Sequence, residues 1–176
     1  MRSDGPAIEF IDVTRTYRIG ETHTDALAHA TFGIVSGSLT AITGPSGSGK
    51  STLLSLAACV DRPDHGTIHV LGRDVNAMTK RQRRALRRTQ LPLLAPIPSD
   101  NLLPSATAQE NLAWTARVAG ADITAERTSE LLDLVGAPPE PHRTHELSGG
   151  EQQRVAIACL LTFAPAIIVA DEPTAS

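Results

Sequence analysis

Nine consecutive residues, Gly44, Pro45, Ser46, Gly47, Ser48, Gly49, Lys50, Ser51 and Thr52, combine glycines, hydroxyls and one lysine at the spacing G-x-x-x-x-G-K-[ST]. The chemistry this spacing permits is the holding of phosphate. Glycines let backbone N–H groups turn inward around phosphate oxygens. A helix starting at the lysine adds its positive N-terminal end to the same anion. Lys50 would reach the β- and γ-phosphates, and the Ser51 hydroxyl would ligate Mg²⁺. All nine residues are therefore candidate nucleotide-binding residues.

A second candidate is Ile167-Ile-Val-Ala-Asp171-Glu172, an apolar run that delivers two carboxylates to its C-terminal end. Ligands of open α/β sheets bind at that end of the strands. Asp171 is placed to hold Mg²⁺, and Glu172 is the candidate general base for an attacking water. A third is Leu147-Ser-Gly-Gly-Glu-Gln-Gln-Arg154. Read plainly, it is a well-capped helix start. Read functionally, the N–H groups of Gly149 and Gly150 and the Ser148 hydroxyl form a second anion site. The loop at Lys50 already supplies one phosphate cradle, so this one would face a partner subunit's nucleotide.

These residues need elements to position them. Residues 7–13 alternate apolar and polar as a half-buried strand does, and 28–35 form a weaker strand candidate. The apolar run 39–43, ending at Gly44, reads as a buried strand leading into the glycine loop. A helix over 51–60, a turn through Asp61, Pro63, Asp64 and Gly66, and a strand over 67–71 follow. Residues 80–88 carry six basic groups in nine and read as a solvated helix face. Prolines at 92, 96, 98 and 104 argue against a central strand or a helix there. Thr107 and Glu110 form a capping box for a helix with Leu112, Ala113, Ala116 and Ala119 on one face. A second helix runs from 124 to 135, closed by Gly136 and the prolines at 138, 139 and 141. Ser148 and Glu151 make another capping box, for a helix to about 163, and 166–170 read as a buried strand ending at Asp171. Strands alternating with helices imply an α/β domain, with a helical subdomain inserted over about 90–163.

Composition narrows the function classes. The chain has 176 residues, 41% hydrophobic, with a net charge of -3. That length suits one domain with its own core, and the charge gives no case for nucleic acid as a partner. Cys59 and Cys159 form no metal or disulfide spacing. No apolar run approaches the ~20 residues of a membrane span, and the N-terminus lacks the apolar stretch of a secretory signal. The expectation is a cytoplasmic chain.

In the order GPSGSGKST, LSGGEQQR and VADEPT, the sequence resembles the ATP-binding subunits of ABC transporters. Segments such as DRPDHGTIHVLG and NLLPSATAQENL are similar to the macrolide-export and lipoprotein-release branch. The resemblance implies a P-loop fold with a mainly parallel core sheet, N-terminal antiparallel strands and an inserted helical subdomain. The core would comprise 1–89 and 164–176. The resemblance also implies that Tyr17 stacks on adenine, and that two ATP-binding subunits pair head to tail, each ATP facing the other subunit's Ser148, Gly149 and Gly150. The partner would be a membrane subunit, with the chain peripheral at the inner face of the membrane and ATP hydrolysis driving transport.

The sequence departs from the family at two places. The family has a glutamine at the end of a strand before the N-L-L-P segment. Here that position falls on Pro96 or Pro98, with Gln90 about eight residues early, and the strand itself reads as replaced by the proline-rich 91–98. The family also continues past DEPTAS to a further helix, a strand and a histidine at the γ-phosphate, whereas all six histidines here precede Asp171. These departures predict a C-terminally incomplete domain, lower in stability and with little or no hydrolysis, in which nucleotide binding survives. The alternative function is then a regulatory or decayed ATP-binding module.

Overall fold

In a computed structural model describing residues 5–20, 22–138 and 141–173, the chain divides into two units, Met1–Ala85 and Leu86–Ser176. Pro139, the first four residues and the last three of DEPTAS, all used above, lie outside the described residues.

The first unit is built on a long hairpin. Strand β1 (Pro6–Ile19) pairs antiparallel with β2 (Thr22–Val35). Helix α1 (Lys50–Ala57) follows, then β3 (His65–Val70), antiparallel to β1 on its other side, and the short β4 (Arg73–Asp74). The sheet order is β2-β1-β3-β4. The alternation expected over 7–13 starts correctly, with Ile8 and Phe10 buried, and Phe10 stacks on Phe32 at 4.6 Å between ring centroids. A bulge then shifts the inward position to Val13. Asp12 at the bulge has φ 52, and its N–H donates to the Thr31 hydroxyl at 2.9 Å. One extra residue moves the inward face from even to odd positions, which sequence periodicity does not reveal.

The buried strand expected over 39–43 is absent. Those residues have no regular structure, and Leu39 is fully exposed. A strand of this kind is stable only between two neighbours, and among the described residues none pairs with it. Helix α2 (Lys80–Thr89) has the expected solvated basic character: Lys80, Arg81, Arg84 and Arg88 are exposed and only Leu86 is buried.

In the second unit, β5 (Leu93–Leu94) precedes a 3-10 turn over Pro98–Asn101 and three helices. These are α3 (Ala108–Ala119), α4 (Ala125–Val135) and α5 (Gly149–Leu161). Leu102, Leu112, Leu131, Leu132, Val155 and Cys159 form their common core. The last strand, β6 (Val169–Ala170), pairs parallel with β5. The capping boxes at Thr107 and Ser148 both form, and Gly136 closes α4 in the left-handed conformation, φ 64. Ala113 is exposed, so the buried face of α3 is made by Ala108, Asn111, Leu112 and Ala116.

The proline-rich segment corrects one expectation. A strand does survive there. Ile167, Val169 and Asp171 donate their N–H groups to the carbonyls of Gln90, Pro92 and Leu94, at 3.0, 3.1 and 3.2 Å. Proline keeps its carbonyl, so it can accept along this edge. Its missing N–H removes one rung before Leu93, which keeps the strand short. Beyond it, asparagine side chains replace the bonds that proline cannot make. The Asn101 Oδ1 accepts from Ala95 N–H at 2.8 Å, and its Nδ2 donates to the Ala95 and Ile97 carbonyls. Asn111, 2% exposed, accepts from Leu103 N–H at 2.7 Å and donates to the carbonyls of Leu103 and Thr107. Replacing it strands the Leu103 N–H, whereas the Leu103 carbonyl keeps the Ala106 N–H and the Thr144 hydroxyl as donors. Asn111→Ala is expected to lower unfolding free energy by about 2 kcal/mol in a denaturant titration, whereas an exposed Ala113→Ser should change it by under about 0.5 kcal/mol.

Candidate functional site

The glycine loop and Tyr17 belong to the first unit. Gly49 is the N-cap of α1, with φ 86 and no side-chain cap bond. A Cβ built on it would lie 2.1 Å from the Ala26 carbonyl oxygen of β2. Only glycine therefore fits where the loop passes under the hairpin. The first helical bond is Leu53 N–H to the Gly49 carbonyl, 2.9 Å. Ahead of it, the N–H groups of Lys50, Ser51 and Thr52 find no acceptor among the described residues. Three adjacent unpaired donors at a helix start, in an exposed loop, make an anion cradle.

Lys50 Nζ donates to the carbonyls of Gly44 and Pro45, 2.8 Å each. It is thus folded onto the rim of its own loop, holding the turn that Ser48 N–H to the Pro45 carbonyl (3.3 Å) closes. A phosphate in the cradle would compete for the same ammonium. Ser46, Gly47, Ser48 and Ser51 are exposed, and Thr52 is half-buried. Ser51 offers the hard oxygen donor that Mg²⁺ takes.

Tyr17 pairs with Thr24 across the hairpin, two residues from the Ala26 carbonyl that sits against Gly49. It is 37% exposed. The Arg15 guanidinium lies over its ring, 4.9 Å from the centroid, and its hydroxyl donates to Asp61 Oδ2 at 3.5 Å. Arg15 is itself fixed by Asp61 and Asp64, at 2.8 and 2.9 Å. Sequence reasoning missed this frame. Its signal was the acidic turn Asp61–Asp64, whose Asp64 Oδ2 also accepts from Thr16 N–H at 2.8 Å.

The second unit holds the other candidates. Asp171 is half-buried at the end of β6 and anchored by its N–H to Leu94. Glu172 is exposed and left-handed, φ 47, a conformation that costs a non-glycine residue about 1–2 kcal/mol. Two residues beyond β5 stands Pro96, whose side chain has neither donor nor acceptor.

At the start of α5, Gly149 and Gly150 have N–H groups with no acceptor among the described residues. The Ser148 hydroxyl is not free, as it donates to Glu151 Oε2 at 2.6 Å, and the Ser148 N–H donates to the same oxygen at 2.8 Å. Those two bonds hold the Glu151 carboxyl below the usual carboxylate range. The sign follows. A carboxyl whose folded value is depressed supports the helix start above its unfolded value, about 4.3, and that support is lost as pH falls through the lower folded value. In an NMR titration, Glu151 is expected to show a depressed midpoint that Ser148→Ala moves back up. An unmoved midpoint would show that the box does not act in solution. Burial, by contrast, pushes the Cys159 thiol up to about 12, so this cysteine is a core residue and not a nucleophile.

The pattern of the ABC transporter family matches residues 27–175. The chain belongs to this family. Among its relatives, an uncharacterized ABC transporter ATP-binding protein of Thermotoga maritima is 42% identical over 170 residues, covering 95% of this chain and 72% of the relative. The lipoprotein-releasing system ATP-binding protein LolD 2 of Rhodopseudomonas palustris is 40% identical, covering 97% of this chain and 74% of the relative. A solved dimer of the ATP-binding cassette MJ0796, in a post-hydrolysis state with ADP and Pi, is similar with a TM-score of 0.86 and 34% identity. It covers 96% of this chain and 75% of that one. As an ABC ATP-binding subunit, the chain is an ATPase by resemblance, and its α/β P-loop class is that of the cassettes. The family likeness does not favour the regulatory or decayed alternative. Among the described residues, no helix is long and apolar enough to cross a membrane.

Proposed function

We propose that this chain binds Mg-ATP, hydrolyses it and so drives transport through a separate membrane subunit, working at the cytoplasmic face. In this reading residues 1–89 and 164–176 form the nucleotide core and 90–163 the helical subdomain. The observation that carries it is the cradle: three unpaired N–H groups at Lys50, Ser51 and Thr52, beside a lysine and under a glycine that tolerates no Cβ. ATP phosphates fit those donors, and Tyr17 offers a ring face to adenine. Ser51 and Asp171 are the side chains that would hold Mg²⁺, and the ion would supply neutralisation of phosphate charge. Glu172 takes the proton of the attacking water as the bond from the γ-phosphorus to the bridging oxygen breaks and ADP leaves. Gly149 and Gly150 offer a second set of free donors to the nucleotide of a head-to-tail partner, and the MJ0796 dimer supports paired cassettes in general.

Competition binding with a fluorescent ATP analogue and Mg²⁺, followed by phosphate release, tests this reading. ADP should displace the probe and AMP should not, because the cradle and Lys50 act on the β- and γ-phosphates. Equal displacement by AMP would sink it.

A further inference from the structure

Gln153 lies one turn into α5 and is 5% exposed. Its Nε2 donates to the carbonyl of Pro173 at 3.1 Å. Its Oε1 is buried and has no hydrogen-bond partner among the described residues. A carbonyl accepts only from the NH₂ end of the amide, so the bond to Pro173 fixes which way the group points. A buried acceptor left unpaired is unfavourable, and a methionine would fill the same space without that penalty. The polar side chain at this position is accounted for by what its nitrogen holds.

What it holds is the backbone just past Glu172. Before Glu172, the Asp171 N–H is anchored to the Leu94 carbonyl at 3.2 Å. After it comes Pro173, which has no N–H and can be tied only through its carbonyl. Glu172 is thus the single residue between two anchors, and it adopts φ 47. A non-glycine residue keeps such a conformation only where its surroundings impose it. The ladder bond alone fixes one side, and Gln153 supplies the other.

We propose that Gln153 is a positioning residue for Glu172, holding the carboxylate-bearing residue in its left-handed conformation through the Pro173 carbonyl. This rests on Glu172 being the base, as proposed above. Because Gln153 lies in the helix that Ser148 caps and that Gly149 and Gly150 open, one helix carries both the turn that faces a partner's nucleotide and the tether of this chain's own base.

The test is Gln153→Met, which keeps the volume and removes the donor. Three quantities are measured on the whole chain: Mg-ATP affinity, phosphate release at saturating ATP, and deuterium uptake of the peptide containing Asp171 and Glu172. Affinity and melting temperature should stay near wild type, with affinity within about twofold. Phosphate release should fall by about tenfold or more, since a misplacement near 1 Å can cost about 100-fold. Uptake at Asp171–Glu172 should rise, with the α5 amides unchanged. Unchanged uptake overturns the proposal. So does a parallel loss of melting temperature, affinity and turnover, which would make Gln153 merely structural. If the unmutated chain binds ATP and releases no phosphate, the hydrolysis reading has failed instead, and the uptake result alone decides whether Gln153 holds the Glu172 backbone.

Discussion

Gly49→Ala is expected to abolish Mg-ATP binding, with affinity weakened by more than about 100-fold. Two effects act together. The residue sits at φ 86, where an alanine is disfavoured by about 1–2 kcal/mol. The added Cβ would also stand 2.1 Å from the Ala26 oxygen and 3.3 Å from its carbon. Those are backbone atoms of β2, held in register by pairs such as Arg15 with Leu27 and Thr16 with Asp25, so they cannot swing aside. The loop must move instead, and the N–H groups of Lys50, Ser51 and Thr52 lose their common direction. The other loop glycines set a gradient. Gly47→Ala meets nothing within 4 Å and suffers only from its φ of 78. Gly44→Ala meets the Ser48 hydroxyl at 2.7 Å, a side chain that can rotate away, and should weaken binding by less than about tenfold. Isothermal titration of the three variants checks the order. If Gly49→Ala binds as well as Gly44→Ala, the cradle is not where the structure places it.

Glu172→Gln is expected to leave Mg-ATP affinity within about twofold and to lower phosphate release by about 10²–10⁴-fold, the range for removing a general base. The glutamine is isosteric and keeps the backbone as it is, so the loss would report the proton acceptor alone. Glu172→Gly separates chemistry from strain. It relieves the left-handed conformation, which should stabilise the chain by about 1 kcal/mol, and it should hydrolyse as poorly as the glutamine variant. A chain that is more stable and less active would mean the strain at Glu172 is kept for function. Wild-type turnover in either variant would remove Glu172 from the mechanism.

Much of this was legible in the residues. The loop from Gly44 to Thr52, the paired carboxylates and the capped Ser148 turn all rest on local spacing, and local spacing survives folding. The boxes at Thr107–Glu110 and Ser148–Glu151 formed for the same reason: each needs only residues three apart. The misreadings were of longer range. Residues 39–43 look like a buried strand by composition, but burial needs neighbours, and the described structure gives them none. The segment over 91–98 looked strandless because proline cannot donate. Its Pro92 and Leu94 carbonyls nonetheless accept, and with the Gln90 carbonyl just ahead of it they hold the chain from Ile167 to Asp171.

The amino-acid sequence by itself determined the chemistry offered: a phosphate loop with its lysine, two carboxylates after an apolar run, and a glycine turn at a helix start. These are properties of residue type and near spacing. The tertiary structure decided which of those groups are free and which are engaged. It folded Lys50 onto the carbonyls of Gly44 and Pro45, and it tied the Ser148 hydroxyl to Glu151. It also put Arg15 over Tyr17, and pinned Pro173 to Gln153 so that Glu172 sits in a strained turn. The Gln153–Pro173 contact joins residues that lie 20 apart in the chain, so no local pattern carries it, whereas for the nearer pairs the spacing permits the contact and the fold decides whether it is made.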